Sequence, residues 1–282
     1  MKPVLFEFGP FTVGQYMLGP FELRSYGLML LVAFTAALAW GIWERKRLKL
    51  TVDQVLDWAI YLMIFGLVGA RLVYVGLNWH EYRGNLLDIA KLWEGGLSYH
   101  GAFAGGLLAA IIFSWRRKIA FWRLLDFSAP PAALAYGIGR IGCLLNGCCG
   151  GGPCDLPWAV TYSDPSLGPL FGEAVPRHPT QAYASIGSLL IFGLLVWTRR
   201  RFKMPGALFG MWVLLSSALR FGVEFFRRDY SAVVTPLGNL TQAQWASIVI
   251  FAITVVVMVV MKRQSRARVS APVVPAGETG GS

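Results

Sequence analysis

Seven apolar blocks dominate this chain: roughly residues 24–43, 56–77, 100–115, 125–145, 181–198, 206–227 and 244–261. A helix needs about 20 apolar residues to cross a bilayer, and only the third block is short enough to be tilted or broken. Inside hydrocarbon a backbone must satisfy its own hydrogen bonds, so such blocks fold as helices. The pattern predicts an all-α integral membrane protein built as a bundle of seven transmembrane helices. Composition agrees. Of the 282 residues 55% are hydrophobic and 15% charged, and the mean hydropathy is +0.52, too apolar for a soluble protein of this length.

The basic residues give the bundle a direction, because Lys and Arg in short loops mark the cytoplasmic side. Arg45, Lys46, Arg47 and Lys49 follow the first block, and Arg116, Arg117, Lys118 and Arg123 follow the third. Arg199, Arg200, Arg201 and Lys203 follow the fifth, and Lys262, Arg263, Arg266 and Arg268 follow the seventh. The alternate loops, 78–99 and 146–180, mix acids with bases. The N-terminus is therefore expected in the periplasm and the C-terminus in the cytoplasm. The net charge of +11 orients the protein and suits an anionic inner leaflet, so membrane lipid is an expected partner and nucleic acid is not. Residues 1–268 read as one polytopic membrane domain, with 1–23 as an external arm whose Phe, Tyr and Pro suit the interface. No basic segment directly precedes the first block, which reads as a permanent helix rather than a cleaved signal. Residues 269–282, VSAPVVPAGETGGS, read as a disordered cytoplasmic tail.

A charge at the bilayer centre costs about 2.5–3.5 kcal/mol on insertion scales, so its position carries meaning. Arg71, Arg140 and Arg220 all fall in the later parts of the second, fourth and sixth blocks, which run outward. Arg220, Glu224 and Arg227 are spaced to share one helix face. Tyr26 and His100 open the first and third blocks, and Asn146 closes the fourth. The topology gathers these groups in the periplasmic half. Plainer readings exist: Arg227 and Arg228 as snorkelling anchors, Glu224 as the neutraliser of Arg220, His100 as a structural residue at a helix mouth. Asp57 and Asp126 lie toward the cytoplasmic side and read as cap or loop residues. Three arginines at one depth read as a phospholipid headgroup site, since guanidinium binds phosphate through paired hydrogen bonds and keeps its charge. Glycine pairs flank His100 in GGLSYHGAFAGG (95–106) and suit close packing around a ligand.

All four cysteines fall in GRIGCLLNGCCGGGPC (139–154). The spacing C-x4-C-C-x4-C is not a pair of CxxC zinc motifs, and the adjacent Cys148 and Cys149 are awkward for tetrahedral ligation. Three readings stay open: free thiols, a disulfide from Cys154 to Cys148 or Cys149, or a membrane thiol-redox or metal protein using all four.

Six motifs appear in order: LRSYGLMLLVAF (23–34), GARLVY (69–74), WEGGLSYHGAFAGG (93–106), GRIGCLLNGCCGG (139–151), HPTQAY (178–183) and RFGVEFFR (220–227). Over about residues 20–260 the chain resembles the prolipoprotein diacylglyceryl transferase family. The resemblance implies an enzyme of the bacterial cytoplasmic (inner) membrane. It would move the diacylglyceryl group of phosphatidylglycerol onto the lipobox cysteine thiol of a preprolipoprotein, releasing glycerol 1-phosphate. No metal or organic cofactor is implied. His100, Arg140, Arg220 and Tyr26 are the expected catalytic residues. Arg71, Asn146, Gly151, Glu224, Arg227 and Gln181 are the expected substrate-binding residues.

The chain departs from the common family pattern Gly-Arg-x-Gly-Asn-Phe-x-Asn-x-Glu-x-x-Gly, with Cys143 at the first Asn and Cys148 at the Glu. Ala184 stands where His-Pro-x-Gln-Leu-Tyr-Glu ends in an acid. A cysteine-rich signature also occurs in the family. With two carboxylates gone, the alternative is a homologue that binds phospholipid but has altered or lost transfer. The chemistry is a displacement at carbon. A thiol of pKa about 8.5 is only slightly ionised at neutral pH and needs a base or a positive field. His100 is the candidate base and Arg220 the alternative electrostatic activator. Arg140 and Arg220 would stabilise charge on the leaving phosphate, and Tyr26 and Asn146 would hydrogen-bond the headgroup.

Overall fold

The computed structural model describes residues 4–13, 16–92, 95–162, 175–227 and 240–270. Among these, seven long helices form the body: α1 Ser25–Glu44, α2 Val52–Leu77, α3 Tyr99–Arg117, α4 Phe121–Asn146, α5 Thr180–Thr198, α6 Ala207–Glu224 and α7 Gln242–Ser270. Each coincides with an apolar block of the sequence, and the short third block is one continuous helix of 19 residues. Five of them, α1, α2, α5, α6 and α7, are long and apolar enough to cross a membrane. The other two are more polar: α3 opens on Tyr99, His100 and glycines, and α4 carries Arg123, Asp126 and Arg140. Large apolar side chains also cover the outside of the bundle. Leu31, Leu72, Leu190 and Val256 are 58–69% exposed, a surface suited to lipid tails rather than water. The protein is thus a mostly helical membrane protein.

Neighbouring helices pack antiparallel, α1 on α4, α2 on α3, α4 on α5 and α6 on α7. Gly142 of α4 abuts Tyr26 and Met29 at the start of α1, while Gly41 near the end of α1 abuts Phe127 near the start of α4. The α2–α3 pair meets backbone to backbone. A methyl group at Gly101 would lie 2.8 Å from Ala70 Cα, and one at Gly105 would lie 2.7 Å from the Phe65 carbonyl carbon. Backbone cannot give way, so glycine is what permits the approach. Deeper in, Trp58 and Phe113 pack with ring centroids 5.2 Å apart, and Trp58 Nε1 donates to Ser128 Oγ at 3.1 Å. Ser185 and Ser188 of α5 donate to the Gly137 and Ala133 carbonyls of α4, both at 2.8 Å.

Helix starts are capped by local chemistry. Thr51 with Gln54, and Thr241 with Gln244, form reciprocal capping boxes. Asp126 caps α6 from outside it, accepting from the Gly206 amide at 2.7 Å and the Phe209 amide at 2.9 Å. Asp57 pairs with Arg117. Asp126 thus has the capping role expected of it, whereas Asp57, inside α2, is an ion-pair partner rather than a cap or loop residue.

The arm before α1 adds a β component that the all-α expectation lacks. Strand β1 (Val4–Phe8) pairs with β4 (Phe21–Arg24), and β2 (Phe11–Val13) pairs with β3 (Tyr16–Leu18), both antiparallel. Strands β5 (Val160–Thr161) and β6 (Pro176–Arg177) form a third two-stranded ladder. Arg228 and residues 271–282 lie outside the described residues, and α7 runs through Ser270, past the expected start of the tail at 269.

Candidate functional site

Antiparallel packing brings the starts of α1, α3, α5 and α7 to one end of the bundle, with the ends of α2, α4 and α6. The expected catalytic and substrate-binding residues lie at that end. Their surroundings differ, and those differences separate them into two groups.

Arg140, Tyr26 and the cysteines form the first group. Helix α4 stops at Gly147, whose φ of 76° needs no Cβ, and the Cys148 amide bonds back to the Cys143 carbonyl at 3.1 Å. This turn folds Cys148 back over Cys143. Cys149 then takes a left-handed φ of 64°, uncommon for a residue with a Cβ, and its carbonyl accepts from Thr180 Oγ1 at 2.8 Å. As a result the Sγ atoms of Cys143, Cys148 and Cys149 all lie within 4.8 Å of one another. All four cysteines are half-buried free thiols. Cys154 stays out of the cluster, its amide bonded to the Pro176 carbonyl at 2.9 Å, so the disulfide reading is not what the structure adopts. Arg140, one turn before Cys143, lays its guanidinium over the Tyr136 ring at 5.0 Å. The Tyr26 hydroxyl is within electrostatic reach of Arg140 and of all three clustered thiols. The Cys148 thiol donates to the Cys143 carbonyl at 3.7 Å, and the Asn146 side chain lies within reach of that thiol. The Cys149 thiol, in the loop beyond α4, is held well below the ordinary thiol range by hydrogen bonds from Cys143 and Cys148, reinforced by the positive charges of Arg140 and Arg227.

The second group holds this loop in place. The Gly151 amide donates to the His178 carbonyl at 2.8 Å, and the Gly152 amide to the Phe226 carbonyl at 2.9 Å. A methyl group at Gly151 would lie 2.7 Å from Thr180 Cγ2 and 2.8 Å from His178 Cβ, so packing alone demands glycine there. Gln181 is 1% exposed; its Nε2 donates to the Cys148 carbonyl and its Oε1 accepts from the Tyr162 hydroxyl at 3.0 Å. Burial pushes the Tyr162 hydroxyl up to about 12. Sequence reasoning missed Arg177, Thr180 and Tyr162. Arg177 is buried and donates to the Gly151 carbonyl at 3.4 Å. Arg177 and Thr180 flank or sit in the His-Pro-Thr-Gln motif and could have been found from it; Tyr162 has no such signal.

Arg71 is fully engaged within the protein. Its Nε donates to Ile89 O (2.8 Å), Nη1 to Gly95 O (2.7 Å) and Gly96 O (3.1 Å), and Nη2 to Asp88 O (2.7 Å) and Lys91 O (3.2 Å). A guanidinium has five N–H donors. Where the sequence suggests a fork free for phosphate, the structure has an arginine organising the segment that leads into α3. His100 stands exposed in the first turn of α3, just after that segment. Arg220 pairs with Glu224, which is 6% exposed and also accepts from Thr241 Oγ1 at 3.1 Å. Glu224 thus balances Arg220 and ties α6 to α7, while the Arg220 side chain stays 33% exposed. Arg227 is half-buried, with its amide on the Glu224 carbonyl at 3.0 Å.

An apolar cavity of about 480 Å³ lies among α1, α2, α3, α4 and α6, lined by residues such as Phe34, Trp58, Met63, Phe103, Ala135 and Trp212. Ala135 precedes Arg140 by five residues, about 7.5 Å along the helix. Met63 and Phe103 are 55% and 49% exposed, so the cavity opens sideways onto the outer surface of the bundle. A cation and a hydroxyl placed beyond the end of such a cleft suit an amphiphile with an anionic head and an apolar body.

Comparison with known proteins points the same way. The family model for prolipoprotein diacylglyceryl transferase matches residues 12–260. The chain is 35% identical over 242 residues to the phosphatidylglycerol–prolipoprotein diacylglyceryl transferase of Thermosynechococcus vestitus, covering 84% of this chain and 87% of that one. It is 34% identical over 267 residues to the protein of the same name from Bordetella avium, covering 93% and 98%. It is 33% identical over 253 residues to that of Geobacter sulfurreducens, covering 88% and 95%.

Proposed function

The chain belongs to the prolipoprotein diacylglyceryl transferase family, and from that premise we propose how this bundle performs the family's reaction. The protein is a transferase that moves the diacylglyceryl group of phosphatidylglycerol onto a prolipoprotein. The acceptor is the lipobox cysteine thiol, and glycerol 1-phosphate leaves. All seven long helices cross the bacterial inner membrane, with the N-terminus and the arginine-bearing end in the periplasmic half. The loop charges support this orientation.

The acyl chains enter sideways between the helices and occupy the apolar cavity. The phosphate then sits at Arg140, whose fork matches two of its oxygens. Tyr26 and Asn146 hydrogen-bond the headgroup. His100 takes the proton of the acceptor thiol. The sulfur attacks the glyceryl carbon, and the carbon–oxygen bond to phosphate breaks. Charge grows on the phosphate as it leaves, so Arg140 and the half-buried Arg220 stabilise the transition state more than the ground state. A preorganised donor of this kind contributes roughly 10²–10³ in rate. Arg71, Gln181, Gly151 and Glu224 act as positioning residues, through the backbone segments they hold.

The observation that carries this reading is the juxtaposition of Arg140 and Tyr26 beyond the end of an apolar cavity open to the side. The test is the purified full chain, liposomes of phosphatidylglycerol and a lipobox peptide. Glycerol phosphate release matching peptide lipidation is the expected result. Phospholipid binding without release would make the chain a lipid-binding homologue, the alternative raised by Cys148 and Ala184.

A further inference from the structure

We infer that Cys143, Cys148 and Cys149 form a three-thiolate site for a thiophilic divalent cation, zinc by its chemistry, whose fourth position receives the acceptor cysteine thiol. The inference rests on the transfer reaction proposed above and adds to it the means by which the attacking sulfur is held and ionised.

Geometry comes first. Sulfurs around tetrahedral zinc, with Zn–S of about 2.3 Å, stand roughly 3.8 Å apart. The three Sγ atoms are already within 4.8 Å of one another, a small side-chain rotation from that arrangement. The convergence has a structural cause. The glycine turn at 147 folds Cys148 over Cys143, and Cys149 holds a left-handed backbone that Thr180 secures from α5. Spacing along the sequence gave no hint of this, because the left-handed turn, not the interval, sets the distances.

Coordination number comes next. Among the described residues no His, Asp, Glu or fourth Cys joins the set. Structural zinc sites are closed by four protein ligands, whereas sites with three keep a position for substrate. The thiols are half-buried, so a ligand can reach them.

Position decides what that ligand is. Arg140 lies one turn before Cys143, and Tyr26 is within electrostatic reach of both. A phosphate held at Arg140 therefore presents its carbon–oxygen bond beside the three sulfurs. The nucleophile must stand about 3–3.5 Å from that carbon, which places the acceptor sulfur in the same small space. A soft cation with an open position is suited to hold it there.

The step balances without a redox partner. The acceptor thiol binds as the fourth ligand and loses its proton, as thiols coordinated to a dication do. That proton passes to His100, the acceptor assigned above. The sulfur's electron pair forms the new bond to the glyceryl carbon. The carbon–oxygen bond breaks with its pair going to the phosphate oxygen, and glycerol 1-phosphate departs. The product is a neutral thioether, a weak ligand, and it leaves the site. Four thiolates and a dication carry a charge of −2, which Arg140 and Arg227 face. Cys143 and Cys148 are two of the positions where the chain departs from the common family pattern, so the site belongs to cysteine-rich members.

The test uses the full chain, purified in detergent under reducing conditions and stripped of metal, then titrated with Co²⁺ and with Zn²⁺. One equivalent of Co²⁺ per chain should bind with thiolate charge-transfer and tetrahedral visible absorption, and Zn²⁺ should displace it. A lipobox peptide should change that spectrum, and the same peptide with serine for cysteine should not. Cys143→Ser and Cys149→Ser should weaken Zn²⁺ binding by more than about 100-fold, the upper end of what losing an outer partner costs. Cys154→Ser should leave it unchanged. Cys143→Asn with Cys148→Glu installs residues common in the family and should keep the fold while abolishing the cobalt band. A well-folded protein with no thiolate–cobalt band would overturn the inference. So would a band that survives loss of Cys143 and Cys149, a band blind to the peptide, or a disulfide among the three thiols in place of metal. Undiminished transfer by the metal-free chain would also overturn it and leave the proposed function standing. A zinc-loaded chain that binds the peptide thiol but releases no glycerol phosphate would sink the proposed function and leave the metal site.

Discussion

Arg71→Lys separates an arginine that holds a backbone segment from one that holds a headgroup. The wild-type guanidinium donates five hydrogen bonds to carbonyls at residues 88, 89, 91, 95 and 96. Lysine has three N–H donors on one nitrogen, so at least two carbonyls lose their partner. Charge-assisted bonds contribute about 1.5–3 kcal/mol each, which gives roughly 3–6 kcal/mol for two. The lower figure applies, because water can reach a segment at the end of the bundle. A local loss of about 3 kcal/mol raises the open fraction of the segment roughly 150-fold. Amide hydrogen exchange followed by mass spectrometry reads this directly. Peptides covering 86–98 should exchange on the order of 100-fold faster in the variant, with α4, α5 and α6 unchanged. Transfer should fall as well, because the segment leads into the turn that carries His100. The reasoning is refuted if the segment keeps its protection while the affinity for phosphatidylglycerol drops tenfold or more. Arg71 would then be a headgroup contact, as its place in the sequence suggests.

Gly105→Ala should lower the melting temperature, because its methyl group meets the Phe65 carbonyl carbon at 2.7 Å and overpacking of this kind costs about 1–3 kcal/mol. Gly76→Ala, with nothing within 4 Å, is the neutral control. Tyr162 keeps its proton to about 12 against an ordinary value of 10.0, so the unfolded chain ionises first as pH rises. The stability this contributes, about 3 kcal/mol, is complete below pH 10 and lost between about pH 10 and 12. Thermal unfolding against pH should show a decline in that window that Tyr162→Phe removes; an equal decline in both proteins counts against the assignment. His100→Gln should slow transfer and recover partly in alkali, where the acceptor thiol ionises unaided, whereas Arg220→Ala should not recover. The reverse pattern of rescue would exchange the two roles.

The helices were legible because lipid imposes a simple rule, and each apolar block became one helix. The arm was less so. Gly-Pro-Phe occurs twice, at 9–11 and 19–21, between short β-prone runs, and this is a hairpin signal that the larger membrane pattern overshadows. Arg140 and Tyr26 could be paired from topology alone, since α1 and α4 run oppositely. Arg71 could not be interpreted that way. Its partners are main-chain carbonyls 17 to 25 residues away, which no side-chain pattern encodes. Gln181 has the same difficulty, being joined to the Cys148 carbonyl and to Tyr162. The thiol cluster was hidden for a different reason. Linear spacing assumes an ordinary backbone, and here a glycine and a left-handed cysteine fold the intervals onto one another.

The central claim is that Arg140 binds the departing phosphate through its planar fork. The most direct measurement is turnover of Arg140→Lys with phosphatidylglycerol liposomes and a lipobox peptide, read as glycerol phosphate released and compared with the unmodified chain. Lysine keeps the charge and loses the paired hydrogen bonds. The account predicts a fall in kcat of about 100-fold or more in a protein that retains its fold and still binds phospholipid. Turnover within a few-fold of the unmodified chain would contradict it.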